Sequence, residues 1–239
     1  MLYILIPTFN EEQNVPKLAA TLKELIDGSN YQIIIVDDCS SDDTLNALRS
    51  ALPSSNLMFI KKEVNKGPGN SFLLGFEEIL KKPVNDNDTV LTFEADNTVS
   101  VDDLKLLVKI ATLDFQLVLA SPYAQGGGFQ NTNFLRKVLS FVANLLMRFL
   151  FDIKVLTLSS FVRVYRVGLL RKIKAKYPVM IESPGFFSMA EITLKAVKCE
   201  ARIIEVPVVV QSKERIGKSK MRIIKTSIEY IRMLLKIRL

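Results

Sequence analysis

Short apolar runs alternate along the first half of the chain with longer segments in which apolar residues recur every three or four positions. The runs predict β-strands and the periodic segments predict α-helices. The predicted strands are Tyr3–Ile6, Gln32–Val36, Leu57–Ile60, Thr89–Phe93 and Gln116–Ala120. The predicted helices between them are Glu12–Ile26, Asp42–Leu52, Gly69–Lys81 and Val101–Thr112. Because the strands are almost continuously apolar, we expect a mostly parallel sheet covered on both faces, in a doubly wound, Rossmann-like α/β fold.

The pattern changes after Ser121. The segment from Gln125 to Asn133 is polar and contains three glycines, so it predicts a flexible loop. The elements predicted beyond it are a helix over Phe134–Phe151, a strand over Phe161–Tyr165, a helix near Phe187–Val197, a strand over Arg202–Val210 and a basic helix from about Lys218 to the end. No segment has the composition of a linker, so we expect a single domain over residues 1–239, with halves 1–121 and 122–239 of different character.

The amino-acid composition argues against several classes of protein. Hydrophobic residues make up 49% of the 239 residues, yet the chain has no run of about 18 uncharged apolar residues, so we predict no transmembrane helix. A strand begins at once, without a basic leader, so we predict no signal peptide. Two distant cysteines, Cys39 and Cys199, favour a reduced, cytoplasmic protein. The absence of histidine excludes a Ser-His-Asp triad, a His-ligated zinc site and histidine acid–base catalysis.

The net charge of +7 is unevenly distributed. Residues 1–103 hold 17 acidic and 8 basic side chains, a balance of −9, and residues 104–239 hold 8 and 24, a balance of +16. The segment from Lys218 carries its cations on one face and an apolar stripe on the other, and the predicted helix Phe134–Phe151 is similarly amphipathic. Such helices either cover a core or lie on a membrane surface, and their pattern alone leaves both readings open.

Three polar clusters follow predicted strands. They read PTFNEE after the first strand, DDCSSDD after the second and EADN after the fourth. Each could simply cap a helix or face solvent. Together they would gather carboxylates at the edge of the sheet where α/β proteins bind ligands. The spacing of Glu94 and Asp96 suits a shared Mg²⁺ or Mn²⁺ that holds a diphosphate.

Several segments, in order, resemble the family 2 glycosyltransferases of GT-A fold, and within them the dolichyl-phosphate mannose synthase-like enzymes that transfer sugars to polyprenyl phosphates. IPTFNEEQNV resembles the opening P-x-[YF]-N-E, IIIVDDCSSDDT resembles V-D-D-x-S-x-D-x-T, and NKGPGNSFLLGF resembles N-x-G-x-G. FEAD stands at the family's D-x-D, SSFVRVYR resembles S-x-F-R-x-Y-R, and ERIGKSKM resembles R-x-G-x-S-K. The resemblance covers nearly the whole chain.

The resemblance implies a role for each matching position. The first half would bind the nucleotide sugar: Pro7 and Phe9 would shape the base site, Glu11 would accept from base or ribose, and Asp37 and Asp38 would reach the base edge and ribose. The full set implied for the nucleotide sugar is Pro7, Phe9, Asn10, Glu11, Asp37, Asp38, Ser40, Lys66, Gly67 and Gly69. The implied metal ligands are Glu94 and Asp96. The residues implied to be catalytic are Asp96, Glu191 and Arg163, with Glu191 facing the acceptor.

The second half would hold the acceptor and face the membrane. The candidates for its phosphate are Arg136, Arg163, Arg215, Ser219 and Lys220. The implied reaction moves a hexose from GDP-mannose or UDP-glucose to a dolichyl or undecaprenyl phosphate, with inversion. A phosphate monoester is already mostly ionised at neutral pH (second pKa about 6), so it needs no general base. We expect the protein at the cytoplasmic face of the membrane as a peripheral enzyme, alone, as a homo-oligomer or with a separate transmembrane subunit.

Four residues depart from the family pattern. Glu94 replaces the usual first Asp, Thr98 stands where Gln or His often follows, Pro122 stands where Arg is frequent, and Thr157 where Asp is common. These departures leave open a catalytically weak sugar-nucleotide-binding scaffold at the membrane, as well as a transferase acting on a cell-wall or surface glycan. A dehydrogenase is disfavoured because Phe72 breaks G-x-G-x-x-G. We expect no nucleic-acid partner, because no recognition motif accompanies the basic half.

Overall fold

The computed structural model describes residues 1–217 except Asp27, Ser29 and Asn133. Its main sheet has seven strands among these residues, in the order β3-β2-β1-β4-β7-β5-β8. The strands of this sheet are β1 Leu2–Thr8, β2 Tyr31–Asp37, β3 Leu57–Lys61, β4 Thr89–Thr92, β5 Leu117–Ser121, β7 Arg163–Arg166 and β8 Ile203–Pro207. Only β7 runs antiparallel to its neighbours β4 and β5, so the predicted mostly parallel α/β sheet is confirmed.

Helices cover both faces of this sheet. They are α1 Val15–Leu25, α2 Thr44–Ala51, α3 Pro68–Leu80, α4 Val101–Ala111, α6 Val167–Lys176 and α7 Ser188–Lys198. A further helix, α5 Phe134–Phe151, shares a separate apolar cluster with residues of α7. Alternate residues of β1 divide between two cores, because side chains along a strand point to opposite faces. Ile4 and Ile6 pack with α1, α2 and α4, while Leu5 packs with α3, α6 and α7. Burial on both faces explains the uninterrupted apolar strands of the sequence.

The sheet places three polar clusters side by side. β1 lies between β2 and β4 and is parallel to both, so the carboxyl ends of these three strands share one edge. Thr8 pairs with Asp37 at the last rung between β1 and β2. The residues that follow β1, β2 and β4 are those predicted to bind a nucleotide sugar and a metal, and this edge is therefore the candidate site.

Three parts of the second half differ from the sequence prediction. The polar loop contains strand β6, Gly128–Gln130, which pairs with β9, Val209–Gln211, in a separate two-stranded sheet. The single strand expected over Arg202–Val210 is thus two strands, and Pro207, which has no backbone N–H to donate, ends the first of them. Helix α6 was not predicted, although Val167, Leu170 and Ile173 bury one face of it at helical spacing.

Helix α5 has the predicted bounds. The basic helix expected from Lys218 lies outside the described residues. The division into halves 1–121 and 122–239 stays a prediction, and the main sheet takes strands from both. Among residues that the structure describes, no helix combines the length and hydropathy needed to cross a bilayer.

Candidate active site

The loops after β1 and β2 are fastened to each other. Asn10, which has a positive φ of 54°, donates its backbone N–H to Ser40 Oγ over 2.9 Å and accepts from the backbone N–H of Ser41 at Oδ1 over 2.8 Å. The backbone N–H of Glu11 donates to Thr44 Oγ1 over 2.7 Å. Asn adopts the left-handed backbone conformation more readily than most residues, because its short amide side chain can form hydrogen bonds with nearby backbone groups. This explains an amide at the end of β1, where a single cap would suffice for a simple turn.

Asp37 anchors this pair of loops from inside. It is fully buried, and its carboxylate accepts from the backbone N–H of Ser40 over 3.0 Å and from Ser40 Oγ over 2.5 Å. Pro7 and Phe9 are half-buried at the same edge. The structure therefore brings together the predicted residues of the first two clusters, and their contact with a base or ribose stays a prediction.

Asp38 organises a second loop, between β3 and α3. Its two carboxylate oxygens accept from the backbone N–H groups of Lys66 (2.8 Å) and Gly67 (2.7 Å), and it pairs with buried Lys62 Nζ at 2.6 Å. The contact of Asp38 with a ribose, which the resemblance implied, stays a prediction. The Lys66 side chain is exposed beside this loop. In this conformation Asp38 fixes the entry to α3, because a buried carboxylate is stable only when its oxygens are satisfied.

Gly67 and Gly69 permit a close approach of two backbone segments. A Cβ on Gly67, whose φ is +88°, would stand 2.6 Å from Pro184 O, and one on Gly69 would stand 2.1 Å from Ser183 O. Gly69 also donates its N–H to Pro184 O over 2.7 Å. The two glycines thus have a packing role against residues 183–185, and their predicted contact with the nucleotide sugar stays a prediction.

The third cluster, after β4, forms a small acidic pocket. Glu94, Asp96, Asn97 and Thr98 line it together with apolar side chains that include Phe93. Asp96 is only 3% exposed, and its Oδ1 accepts from the backbone N–H (3.1 Å) and the hydroxyl (2.9 Å) of Thr98. Thr98 therefore orients Asp96, one of the two predicted metal ligands.

Arg215 occupies the other oxygen of that carboxylate. Its Nε donates to Asp96 Oδ2 over 2.8 Å, and its Nη2 makes a second, shorter contact with the same oxygen. Burial lowers the pKa of Arg215, but the charges of Asp96 and Glu94 and the hydrogen bond to Asp96 outweigh it, so the pKa lies above its usual value. The guanidinium is thus firmly charged and neutralises part of the acidic pocket.

Arg215 belongs to a segment, residues 211–216, that crosses the candidate site and that we call the strap. The strap begins where Gln211 N–H donates to Thr98 O over 2.8 Å. It ends where Ile216 and Asn14 exchange two hydrogen bonds, from Ile216 N–H to Asn14 Oδ1 (3.0 Å) and from Asn14 Nδ2 to Ile216 O (3.1 Å). An exposed ion pair between Lys17 and Glu214 lies between these points. The strap connects the second half of the chain to the loops after β1 and β4.

Comparison with known proteins agrees with this geometry. The family model of glycosyl transferase family 2 matches residues 3–174. The chain belongs to glycosyl transferase family 2.

Individual relatives and structures support the assignment. The chain is 28% identical to the polyprenol monophosphomannose synthase of Mycolicibacterium smegmatis, over 91% of this chain and 80% of that protein. It is also 28% identical to the undecaprenyl-phosphate mannosyltransferase of Micrococcus luteus, over 91% of this chain and 86% of that protein. A structure of glucosyl-3-phosphoglycerate synthase from Mycobacterium tuberculosis, in complex with Mn²⁺, UDP-glucose and phosphoglyceric acid, superposes with a TM-score of 0.69 at 17% identity, covering 100% of this chain and 81% of that one. The predicted family and GT-A fold are confirmed.

Two residues predicted to be catalytic in this family 2 transferase, Arg163 and Glu191, are buried and hydrogen-bonded to other residues of the same chain. Arg163 is fully buried, and its guanidinium donates to Leu158 O (2.6 Å), Met189 O (2.9 Å) and Thr193 Oγ1 (2.6 Å), among others. In this conformation the surrounding carbonyl and hydroxyl oxygens accept from the guanidinium, and the predicted contact of Arg163 with the acceptor phosphate stays a prediction. Arg163 ties the start of β7 to α7.

Glu191 is similarly enclosed. It is 4% exposed, accepts from the backbone N–H groups of Glu182 and Ser183 at 2.9 Å each, and pairs with Lys195 Nζ at 2.7 Å. Glu191 thereby fixes the segment that packs on Gly67 and Gly69, and its predicted position facing the acceptor stays a prediction. The side chain of Arg136, and residues Ser219 and Lys220, lie outside the described residues, and their predicted roles stay predictions.

The pocket residues suit a divalent cation held together with a diphosphate. Within the described part of the chain no cluster of three or more acidic, Cys or His side chains could enclose a metal. Mg²⁺ in sites that bind phosphates is held by one or two carboxylates plus phosphate oxygens and water, and Asp96 and Glu94 supply that number. The Oδ1 of Asn97, buried in the pocket wall, has no hydrogen-bond partner among the described residues and can accept from a metal-bound water.

Sequence reasoning missed Asn14 and Asn97 and the pairing of Arg215 with Asp96. Asn97 follows Asp96 directly, has a positive φ of 59° and donates Nδ2 to Asn14 O over 3.1 Å. An Asn directly after a predicted metal ligand was the available signal. The pairing of Arg215 joins residues separated by 119 positions, and no local pattern predicts it.

Proposed function

We propose that this protein transfers a hexose from a nucleotide diphosphate sugar to a polyprenyl phosphate. The observation that carries the proposal is the similarity along 91% of the chain to two enzymes named for mannosyl transfer to polyprenol phosphates. The acidic strand ends support it, because they form the kind of edge at which α/β proteins bind nucleotides. GDP-mannose and UDP-glucose are the two donors to test first, with mannose favoured by the names of those relatives.

The donor would lie along the ends of β1, β2 and β4. Asp37, with Asn10 and Ser40, keeps the first two loops in one arrangement, so the base and ribose meet preformed walls. Asp96, oriented by Thr98, and Glu94 would hold Mg²⁺ or Mn²⁺ beside the diphosphate. The bound ion supplies positive charge that stabilises the departing nucleoside diphosphate.

The acceptor phosphate would act as the nucleophile without a protein base. Its second ionisation, with a pKa of about 6, leaves it mostly dianionic at neutral pH. An oxygen of the phosphate attacks the anomeric carbon from the face opposite the diphosphate, and the glycosidic configuration inverts. A chain that contains no histidine is compatible with this chemistry. Cationic side chains of the second half, with Arg215 nearest the described pocket, would balance the charge of the acceptor.

The lipid acceptor requires access to a membrane, and α5 offers a surface for it. Phe134 and Phe149 are 80% and 84% exposed on this helix, and Phe141, Leu145 and Leu150 are also exposed. Exposed apolar side chains that are grouped on one surface mark sites of contact with a membrane or with another protein. We place this face of α5 on the surface of the membrane, at its cytoplasmic side, with a second copy of the chain or a transmembrane subunit as the alternative cover.

A donor screen tests the function. Release of nucleoside diphosphate is measured for GDP- and UDP-sugars with Mn²⁺, in the presence and absence of polyprenyl phosphate. We expect one donor to be consumed at a rate that rises with the lipid phosphate. Equal release with and without the lipid, or release that depends on an added glycan, would reject the polyprenyl phosphate as acceptor.

A further inference from the structure

The hydrogen bonds of Asp96 leave no free position for a metal ion. An ionised carboxylate has about four lone-pair sites, two on each oxygen. Thr98 fills two of them at Oδ1, through its backbone N–H and its hydroxyl, and Arg215 fills the other two at Oδ2, through Nε and Nη2. A divalent cation can therefore reach Asp96 only if one of these donors leaves.

Arg215 is the donor that a metal ion would displace. Its charge is of the same sign as the metal, so the two cations repel each other when they share one carboxylate. Loss of Thr98 would instead break a local turn and leave its buried hydroxyl without a partner. The incoming cation replaces the charge that Arg215 provides, so the pocket stays neutralised after the exchange.

Little apolar burial stabilises the strap that carries Arg215. Ile216 is 52% exposed, so its apolar side chain adds little burial. The ion pair between Lys17 and Glu214 is exposed on both sides and contributes little to stability. The other contacts that hold the strap are polar. They are the Asn14–Ile216 pair, the hydrogen bond from Gln211 to Thr98, the pairing of Gln211 with Gln130 and a hydrogen bond between the hydroxyls of Ser212 and Thr132 at 2.6 Å. Segments held in this way open at low free-energy cost.

We propose that Arg215 is an internal cation that occupies the metal position of Asp96, and that binding of Mg²⁺ or Mn²⁺ displaces it and releases the strap. Arg215 is thus a positioning residue that couples the metal to the segment crossing the site. The inference rests on the proposed function for the identity of the ion, and it adds a competition between that ion and a residue of the chain.

The competition is measured with Mn²⁺ alone, without nucleotide, by titration of the free Mn²⁺ signal in electron paramagnetic resonance. We expect Arg215→Ala to bind Mn²⁺ at least about tenfold more tightly than wild type, because hydrogen bonds to charged groups contribute enough to account for such a factor. Lys213→Ala is the matched control, since it removes an exposed cation two residues away in the same strap and should leave the affinity unchanged. Asp96→Asn should abolish the site in both backgrounds.

Amide hydrogen exchange gives a second readout that is independent of affinity. Saturating Mn²⁺ should accelerate exchange of the peptide containing residues 212–217 in wild type, where Ile216 N–H is bonded to Asn14. In Arg215→Ala the same peptide should exchange fast already and respond little to Mn²⁺. A circular dichroism melt confirms that the variants are folded under these conditions.

The outcomes separate the two proposals. Two results overturn the displacement of Arg215 but leave the metal assignment intact. One is equal or weaker Mn²⁺ binding by Arg215→Ala, and the other is Mn²⁺ binding to wild type that leaves the amide hydrogen exchange of the strap unchanged. If neither wild type nor Arg215→Ala binds Mn²⁺, or if Asp96→Asn still binds it, the assignment of the metal site is wrong. The proposed displacement of Arg215 is then wrong as well. Tighter binding by Arg215→Ala in a protein that transfers no sugar supports the exchange and rejects the proposed function.

Discussion

At the scale of single residues, the buried polar groups of this protein divide into those that build the site and those that build the scaffold around it. Asp37 and Asp96 keep their carboxylates at the candidate edge, each oriented by a neighbouring hydroxyl residue. Arg163 and Glu191 have the same burial but are enclosed by partners elsewhere. The sequence predicted all four as functional, because a motif fixes residue type and order but does not reveal which internal partner a side chain finds.

Asp96→Asn should abolish metal-dependent binding of the donor. The amide cannot supply the negative charge that attracts the cation, and it cannot accept at the nitrogen. Calorimetry with GDP- and UDP-sugars, with and without Mn²⁺, measures this loss. Donor binding that remains strengthened by Mn²⁺ in the variant would place the metal elsewhere.

Glu94→Asp should keep or raise the transfer rate. The shorter side chain restores the acid-x-acid pattern of two aspartates that the family shows, and it retains an oxygen ligand for the metal. The rate is compared with that of Glu94→Gln, which preserves length and removes charge and should be strongly impaired. If Glu94→Gln matches wild type, Glu94 is no ligand.

At the scale of elements, contacts from residues 182–191 hold the amino-terminal end of α3 in place. Glu191 fixes the backbone of residues 182 and 183, and the next residue, Pro184, accepts from Gly69. Asp38 fixes the other side of the same turn. The sequence predicted α3 itself from its period and the glycines from a motif, yet the contact across more than a hundred residues has no local signature.

Gly69→Ala should destabilise the fold by about 1–3 kcal/mol, the usual cost of an overpacked position. Its Cβ would stand 2.1 Å from the carbonyl oxygen of Ser183, so a backbone segment must shift. Gly128→Ala is the matched control, because no atom lies within 4 Å of the Cβ it would add. Urea unfolding measures both free energies, and equal values would show that the close approach is not rigid.

Replacement of Phe149 by Glu on α5 should reduce sedimentation with liposomes of anionic lipid several-fold, since a charge is costly at an apolar membrane contact. Leu113→Glu serves as the control, because this leucine is 58% exposed after α4, away from α5. Light scattering of wild type without lipid measures the oligomeric state of the protein in the same test. A stable dimer that Phe149→Glu dissociates would assign the α5 face to a second copy instead of the membrane.

At the scale of the whole molecule, the order of apolar runs was enough to predict the parallel sheet, and the order of motifs was enough to predict the family. What it could not predict comes from tertiary context. The short strands β6 and β9 pair with each other although they lie far apart in the sequence, and α6 has so many basic residues that its apolar stripe is narrow. The strap reaches the acidic pocket through Arg215, which bonds to Asp96, and through Gln211, which bonds to Thr98. The site is therefore complete only when both parts of the chain fold together.

A labelled sugar shows whether this family 2 enzyme glycosylates a polyprenyl phosphate. The donor chosen by the screen carries the label, and the organic phase is counted after incubation with polyprenyl phosphate and Mn²⁺, with Asp96→Asn as the inactive control. We expect label in the organic phase only with wild type, lipid phosphate and metal together, in a product of inverted anomeric configuration. Label that stays in the aqueous phase under all these conditions would contradict the account.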